Sequence, residues 1–263
     1  MLREAASVIL LRREPVRGYR VLLVRRRRGA SFMASACVFP GGGVDADDPP
    51  GEPRVTAARE LFEEAGVLLA APAPTLDVTA NLRAQAAAGA ALPGLLAAAG
   101  VAWHLGALHP WSHWHTPSVE PRRFSARFFV AECPPDQVAS VDDHETVELV
   151  WVTPSEAIVR AGELALPPPQ IHTLWQLMRL PTVDDVLAQA AAHAPTIAPI
   201  LPRAAPDAAG LRLLLPWDPA YDAAGQGDAL ALPTPTPPWA TGKSRFLLTA
   251  TGWRYDHAPA EPA

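Results

Sequence analysis

The chain has 263 residues, 49% of them hydrophobic, and a formal net charge of -5 at pH 7. That apolar share is enough for one large core or two small ones. The acidic balance gives no reason to expect DNA or RNA as a partner, although the positive charge is nearly all arginine, with Lys243 the only lysine. Two cysteines, Cys37 and Cys133, cannot build a disulfide framework and fit a reducing, cytoplasmic setting.

Near the start, Arg3 and Glu4 precede a short apolar run that ends at Arg12 and Arg13, too brief and too closely flanked by charge for a signal peptide. Ala5 to Leu11 and Tyr19 to Val24 read as strands joined by the turn R-R-E-P-V-R-G. The second strand runs into Arg25 to Arg28. These arginines are either a solvated strand end or a phosphate clamp, because a guanidinium grips phosphate oxygens bidentately, and Arg27 and Arg28 are the candidates. Residues 31–36 are expected to cross the mouth of a site, with Met33 offering apolar contact. Cys37 lies on the strand entering a glycine turn and reads as core, since no histidine accompanies it.

The stretch F-P-G-G-G-V-D-A-D-D-P-P-G-E-P-R-V-T-A-A-R-E-L-F-E-E-A-G-V, Phe39 to Val67, organises the rest. A glycine turn at Gly41 and Gly42 leads through an acidic, proline-rich loop into a helix from Val55 that is expected to run to about Leu69. Glu60, Glu63 and Glu64 stand at i, i+3 and i+4, so a helix sets the three carboxylates on one side, with Arg59 four residues before Glu63. Such a face is either a solvated surface or a cation site. Oxygen-only ligation favours a hard ion, Mg2+ or Mn2+. Ala58, Leu61, Phe62 and Ala65 offer the apolar side that docks on a sheet.

Residues 75–100 read as an Ala-rich helical insertion; the uncharged run from Ala86 to Trp103 is broken by glycine and proline, which argues against a membrane span. Leu105 to His115 and Phe124 to Glu132 read as a hairpin. In its W-S-H-W-H, His113 and His115 lack nearby partners for a zinc site, and Trp114 is either core or a stacking surface for a ligand. Arg122 and Arg123 are further phosphate candidates. After an acidic loop ending at Glu145, a candidate ligand or base with Glu148 as second choice, Thr146 to Val152 reads as a strand and Thr153-Pro154 as a helix start. Helices near Ile171 to Leu180 and from Thr182 follow. Strand-like runs at Leu211 to Leu215 and Phe246 to Thr249 lie amid prolines, and the last residues, from Asp256 on, are expected to fray.

R-E-L-F-E-E-A-G-V below F-P-G-G resembles the second half of the Nudix box. The first half departs from it: sixteen residues instead of thirteen separate Gly42 from Arg59, Gly51 occupies the place of the family's glutamate, and Glu52 is only an approximate substitute. P-W-S-H-W-H-T-P, E-P-R-R-F-S-A-R-F-F, H-E-T-V-E-L-V-W-V-T-P and L-P-P-P-Q are similar to the Nudix branch that holds the peroxisomal coenzyme A diphosphatases and their bacterial relatives. The resemblance implies an α/β/α sandwich with a mixed sheet in residues 1–165. Residues 166–263 would form C-terminal helices and a Pro-rich lobe packed on it, a candidate dimer contact. It also implies metal held by Glu60, Glu63, Glu64 and a carbonyl of Gly41 or Gly42, with Arg59, Glu60 and Glu145 as catalytic residues. The substrate would be a nucleoside diphosphate linked to another group, first coenzyme A or its acyl derivatives, with ADP-ribose or dinucleotides as the alternative. A Nudix domain that only senses a nucleotide is the reading from another class.

Overall fold

A computed structural model describes residues 2–16, 18–27, 35–141, 146–207, 210–224, 236–237 and 242–257. The first half holds β1 (Arg3–Arg13), β2 (Tyr19–Arg26), β3 (Cys37–Val38), β4 (Gly41–Gly43), α1 (Pro53–Ala65), β5 (Ala70–Ala71), α2 (Leu76–Ala87), α3 (Leu92–Ala98), β6 (Ala102–Trp103) and β7 (His109–His115). Next come β8 (Phe124–Glu132), β9 (Thr146–Val152), α4 (Pro154–Val159), α5 (Pro168–Leu177) and α6 (Val183–His193). The chain then adds β10 (Pro199–Ile200), β11 (Arg203–Asp207), β12 (Gly210–Leu214), β13 (Ser244–Thr249) and β14 (Gly252–His257).

β1 explains the layering. Val8 and Leu10 point into one apolar cluster and Ile9 and Leu11 into another, all four fully buried. A strand buried on both faces needs helices on both sides. The first cluster is closed by Ala57, Ala58, Leu61 and Ala65 of α1, the second by Ile171, Leu174 and Leu177 of α5 with Val183 and Val186 of α6. Between them lies a mixed sheet in the order β10-β7-β8-β1-β2-β3, with β4 also paired to β1 and β9 to β2. β1 and β8 run parallel over Arg3 to Leu11, and β7 and β8 form the expected antiparallel hairpin.

Thr182 starts α6 with a reciprocal cap, its hydroxyl accepting from the Asp185 N–H while Asp185 accepts from the Thr182 N–H, each at 3.1 Å. β11 to β14 make a separate antiparallel sheet. Its anchor is Asp218, fully buried and accepting from the Arg245 Nε at 2.8 Å, the Arg245 Nη2 at 2.6 Å and the Ser244 N–H at 2.8 Å.

Several boundaries differ from expectation. α1 stops at Ala65 because Gly66 takes a left-handed conformation, φ 68°, that ends the hydrogen-bond ladder. Leu105 to Ala107 form a 3-10 turn before β7 instead of its first residues. Asp256 and His257 are paired in β14 with Arg245 and Ser244, not frayed. No helix among the described residues is long and apolar enough to cross a membrane.

Candidate active site

α1 is committed on two sides. Ala57, Ala58, Leu61 and Ala65 meet the sheet, while Phe62, expected beside them, packs under the inserted helices with Leu82, Leu92 and Leu96. Glu60 and Glu64 turn toward β4, and Glu63 lies half-exposed next to them. The Glu64 carboxylate, in a residue only 4% exposed, accepts the Gly41 N–H at 2.8 Å. Space restricts both glycines, Gly41 against backbone and Gly42 against a side-chain end. A Cβ on Gly41 would lie 2.5 Å from the Ala6 carbonyl oxygen and collide with the Ser7 hydroxyl, and one on Gly42 would lie 2.6 Å from the Glu60 carboxyl carbon.

Arg59 is the hub. Its Nη1 donates to Glu60 at 3.0 Å and to Glu63 at 2.8 Å, its Nη2 to the Gly43 carbonyl at 2.9 Å, and its Nε and Nη2 to the two oxygens of Asp48, each at 3.0 Å. Asp48 also accepts from the Thr56 hydroxyl at 2.8 Å and the Asp45 N–H at 3.0 Å. Burial pushes the Asp48 carboxyl up, but Arg59, the Asp45 N–H and the Thr56 hydroxyl outweigh it and hold it below the usual carboxylate range. Glu63 goes the other way: burial raises it, and Arg59 only partly opposes.

Asp48 is the residue that sequence reasoning missed. Counting back from Arg59 pointed to Gly51 and Glu52, yet Glu52 is paired with Arg54 at 2.9 and 3.0 Å. Counting forward from Gly42 with five intervening residues arrives at Asp48, so the loop insertion follows the acidic position. The signal was present in the spacing.

Among the described residues, no group of three or more His, Cys, Asp or Glu side chains is arranged to hold a metal ion. The reason is visible in the hydrogen bonds: Arg59 draws Glu60 and Glu63 to itself and the Gly41 N–H draws Glu64. The donor set nonetheless fits a hard divalent cation. Asp48, Glu60, Glu63 and Glu64 crowd one guanidinium and a glycine turn, leaving surplus negative charge on oxygen donors.

The other candidates are scattered. Arg27 is exposed beyond β2, and Arg28, Met33 and Glu145 lie outside the described residues. Glu148 is paired with Arg25 at 2.6 Å. Arg122 is exposed at the β7–β8 turn, and Arg123 donates to the Thr116 carbonyl at 2.9 Å. Trp114 lies in the core: strand alternation puts it on the α5 face, 3% exposed, with its ring centroid 5.5 Å from that of His172. His113 takes the opposite face, donating to or accepting from the Ser125 hydroxyl at 2.9 Å.

Residues 50–180 match the NUDT19 Nudix domain family, and residues 1–94 match the NUDIX domain family. A nudix hydrolase 7 of Caenorhabditis elegans is 34% identical over 194 residues, 69% of this chain and 62% of that protein, so the chain spans under two thirds of it. The acyl-coenzyme A diphosphatase NUDT19 of Gallus gallus is 29% identical over 265 residues, covering 70% of each. A crystal structure of a NUDIX hydrolase from Alicyclobacillus acidocaldarius superposes with a TM-score of 0.63 at 25% identity, covering 72% of this chain and 96% of that one. With the glycine turn against the R-E-L-F-E-E-A-G-V helix and helices on both faces of a mixed sheet, these matches establish that the chain belongs to the Nudix hydrolase family.

Proposed function

We propose that the protein is a metal-dependent diphosphohydrolase that cleaves the phosphoanhydride of a nucleoside diphosphate linked to another group. Coenzyme A or an acyl derivative is the first choice, giving adenosine 3′,5′-bisphosphate and a phosphopantetheine. The observation that carries this reading is the convergence of Glu60, Glu63 and Asp48 on Arg59 beside the Gly41–Gly42 turn. Similarity to the NUDT19 Nudix domain family directs the choice of substrate.

Glu60, Glu63, Glu64 and a carbonyl of Gly41 or Gly42 would hold Mg2+ or Mn2+, which when bound supplies charge neutralisation for the diphosphate and acidifies a water. Asp48 fixes Arg59, and Arg59 fixes the separation of the carboxylates. A glutamate, Glu60 or Glu145, takes the proton of the attacking water. The hydroxide oxygen bonds to one phosphorus, the bridging P–O bond breaks, and the bridging oxygen leaves with the other phosphate. Arg27, Arg28, Arg122 and Arg123 are the candidates to neutralise that leaving charge. A cytoplasmic location is part of the proposal and rests on the two free cysteines.

Turnover of coenzyme A, ADP-ribose, NADH and diadenosine compounds with Mg2+ tests the reading. Coenzyme A is expected to be preferred. Preference for ADP-ribose or dinucleotides would replace the substrate, and no hydrolysis of any of them would sink the enzymatic reading.

A further inference from the structure

A cavity of about 330 Å³ opens between the start of α1, the β7–β8 hairpin and the turn after α6, lined among others by Glu52, Arg54, Ser112, His113, Arg127 and Ile197. That volume is at the lower end of the roughly 300–1,000 Å³ of small-molecule sites. Its position relative to the carboxylates follows from strand register. Gly42 is opposite Ala6, Ala6 opposite Arg127, and Arg127 opposite His113, so the four form one row across adjacent strands on the α1 face. Strands lie about 4.8 Å apart, which sets the Arg127 backbone on the order of 10 Å from Gly42. Along α1, the six-residue step from Arg54 to Glu60 spans about 9 Å at ~1.5 Å per residue.

The lining is prepared for an anion. The Arg127 side chain makes no hydrogen bond or ion pair with any described residue, although the residue is partly buried. Ser112, only 8% exposed, has a buried hydroxyl oxygen with no partner among the described residues. It sits where a bulge between Pro110 and Ser112 shifts the register of β7, a device that re-aims side chains near sites. The N-terminus of α1 has no acidic residue in its first turn; the one acid at that end is the N-cap residue, Glu52. Glu52, the carboxylate in the lining, is already neutralised by its two bonds to Arg54. Burial, aided by Arg127 and His115, pushes the His113 imidazole down to about 3, so it lines the cavity as a neutral ring and leaves the charge to Arg127.

We infer that this cavity is a subsite for a second phosphate on the nucleoside part of the substrate, with Arg127 as the residue that selects for it and Ser112 as a second donor. The inference rests on the diphosphohydrolase reading for its substrate class. It also shifts attention from Arg123, which is already engaged with a backbone carbonyl, to an arginine without a partner among the described residues.

The test is equilibrium binding of adenosine 3′,5′-bisphosphate and of AMP to the full chain without divalent cation, for wild type, Arg127→Ala, Arg127→Lys and Ser112→Ala. A charge-assisted bond of this kind corresponds to about a ten-fold preference for the bisphosphate in wild type, which Arg127→Ala should erase and Arg127→Lys should reduce. Equal affinities in wild type, or a preference that survives in Arg127→Ala, overturn the inference. If Arg127→Ala does not fold, Arg127→Lys and Ser112→Ala decide, and an unchanged preference in both overturns it. Turnover separates the two readings. A wild type that shows the preference but leaves coenzyme A intact sinks the substrate reading and keeps the subsite. One that cleaves coenzyme A and dephospho-coenzyme A alike, without a binding preference, sinks the subsite and keeps the enzyme.

Discussion

Asp48 and Arg59 are joined by a two-point pair, Oδ1 to Nε and Oδ2 to Nη2, each 3.0 Å, with the Asp48 side chain 2% exposed and that of Arg59 10%. Removing one partner of such a pair strands the other, which typically costs about 3–5 kcal/mol. Arg59 keeps Glu60 and Glu63 as company, so Asp48→Asn is expected near the low end, about 3 kcal/mol by urea unfolding at pH 7. The Asp48 carboxyl is lowered in the fold, so its contribution is full above the ordinary carboxylate range and is lost as pH falls through the lowered value. The gap between wild type and variant should therefore close in acid. Equal stability at neutral pH would show that the pair is dispensable.

Neighbouring glycines should fail differently. Gly41→Ala pushes a methyl group into the β1 backbone and is expected to destabilise the fold by about 2 kcal/mol or more. Gly42→Ala meets the Glu60 carboxylate, a side-chain end that can move, so the melting temperature should fall less than the rate does. Melting curves paired with turnover check this, and a Gly42→Ala enzyme with wild-type activity would remove Glu60 from the site.

Glu63→Gln keeps the shape of the side chain and its bond from Arg59 but deletes the charge. If Glu63 holds the metal as proposed, this change is expected to lower turnover by about 100-fold or more with little change in unfolding midpoint. Calorimetric titration with Mn2+ should weaken in parallel. Turnover equal to that of wild type would exclude Glu63 from metal binding.

Much of this arrangement was legible in the residue order. The i, i+3, i+4 spacing of Glu60, Glu63 and Glu64 and the i to i+4 pair of Arg59 with Glu63 are local, and a helix fixes them. What could not be read locally was which face of a strand meets which layer. Trp114 and Arg127 sit on adjacent strands of one hairpin, and only the parallel register of β8 with β1 decides that Arg127 faces α1 while Trp114 faces α5. The position of Asp48 was readable by spacing, but its engagement with Arg59 required the fold of the inserted loop.

Arg83 links the inserted helices to the end of α1, donating to the Glu63 carbonyl at 3.2 Å and to the Ser140 carbonyl at 2.9 Å. It supplies donors for carbonyls that the helix end leaves open. Arg83→Ala is expected to cost about 1 kcal/mol, seen as a lower unfolding midpoint, with hydrogen exchange accelerated first around residues 63–68. Unchanged exchange there would mean the link is superficial.

β10 is only two residues long, yet it lies along the outer side of β7 opposite His113 and Trp114, and it is delivered by chain far downstream of the box. Cutting the protein after α5 would strip that cover and bare the backbone of an aromatic-rich border strand, an invitation to stick to other copies. Such a cut also takes Val183 and Val186 of α6 from the second apolar cluster, so trimming this enzyme to a minimal piece should give clumping.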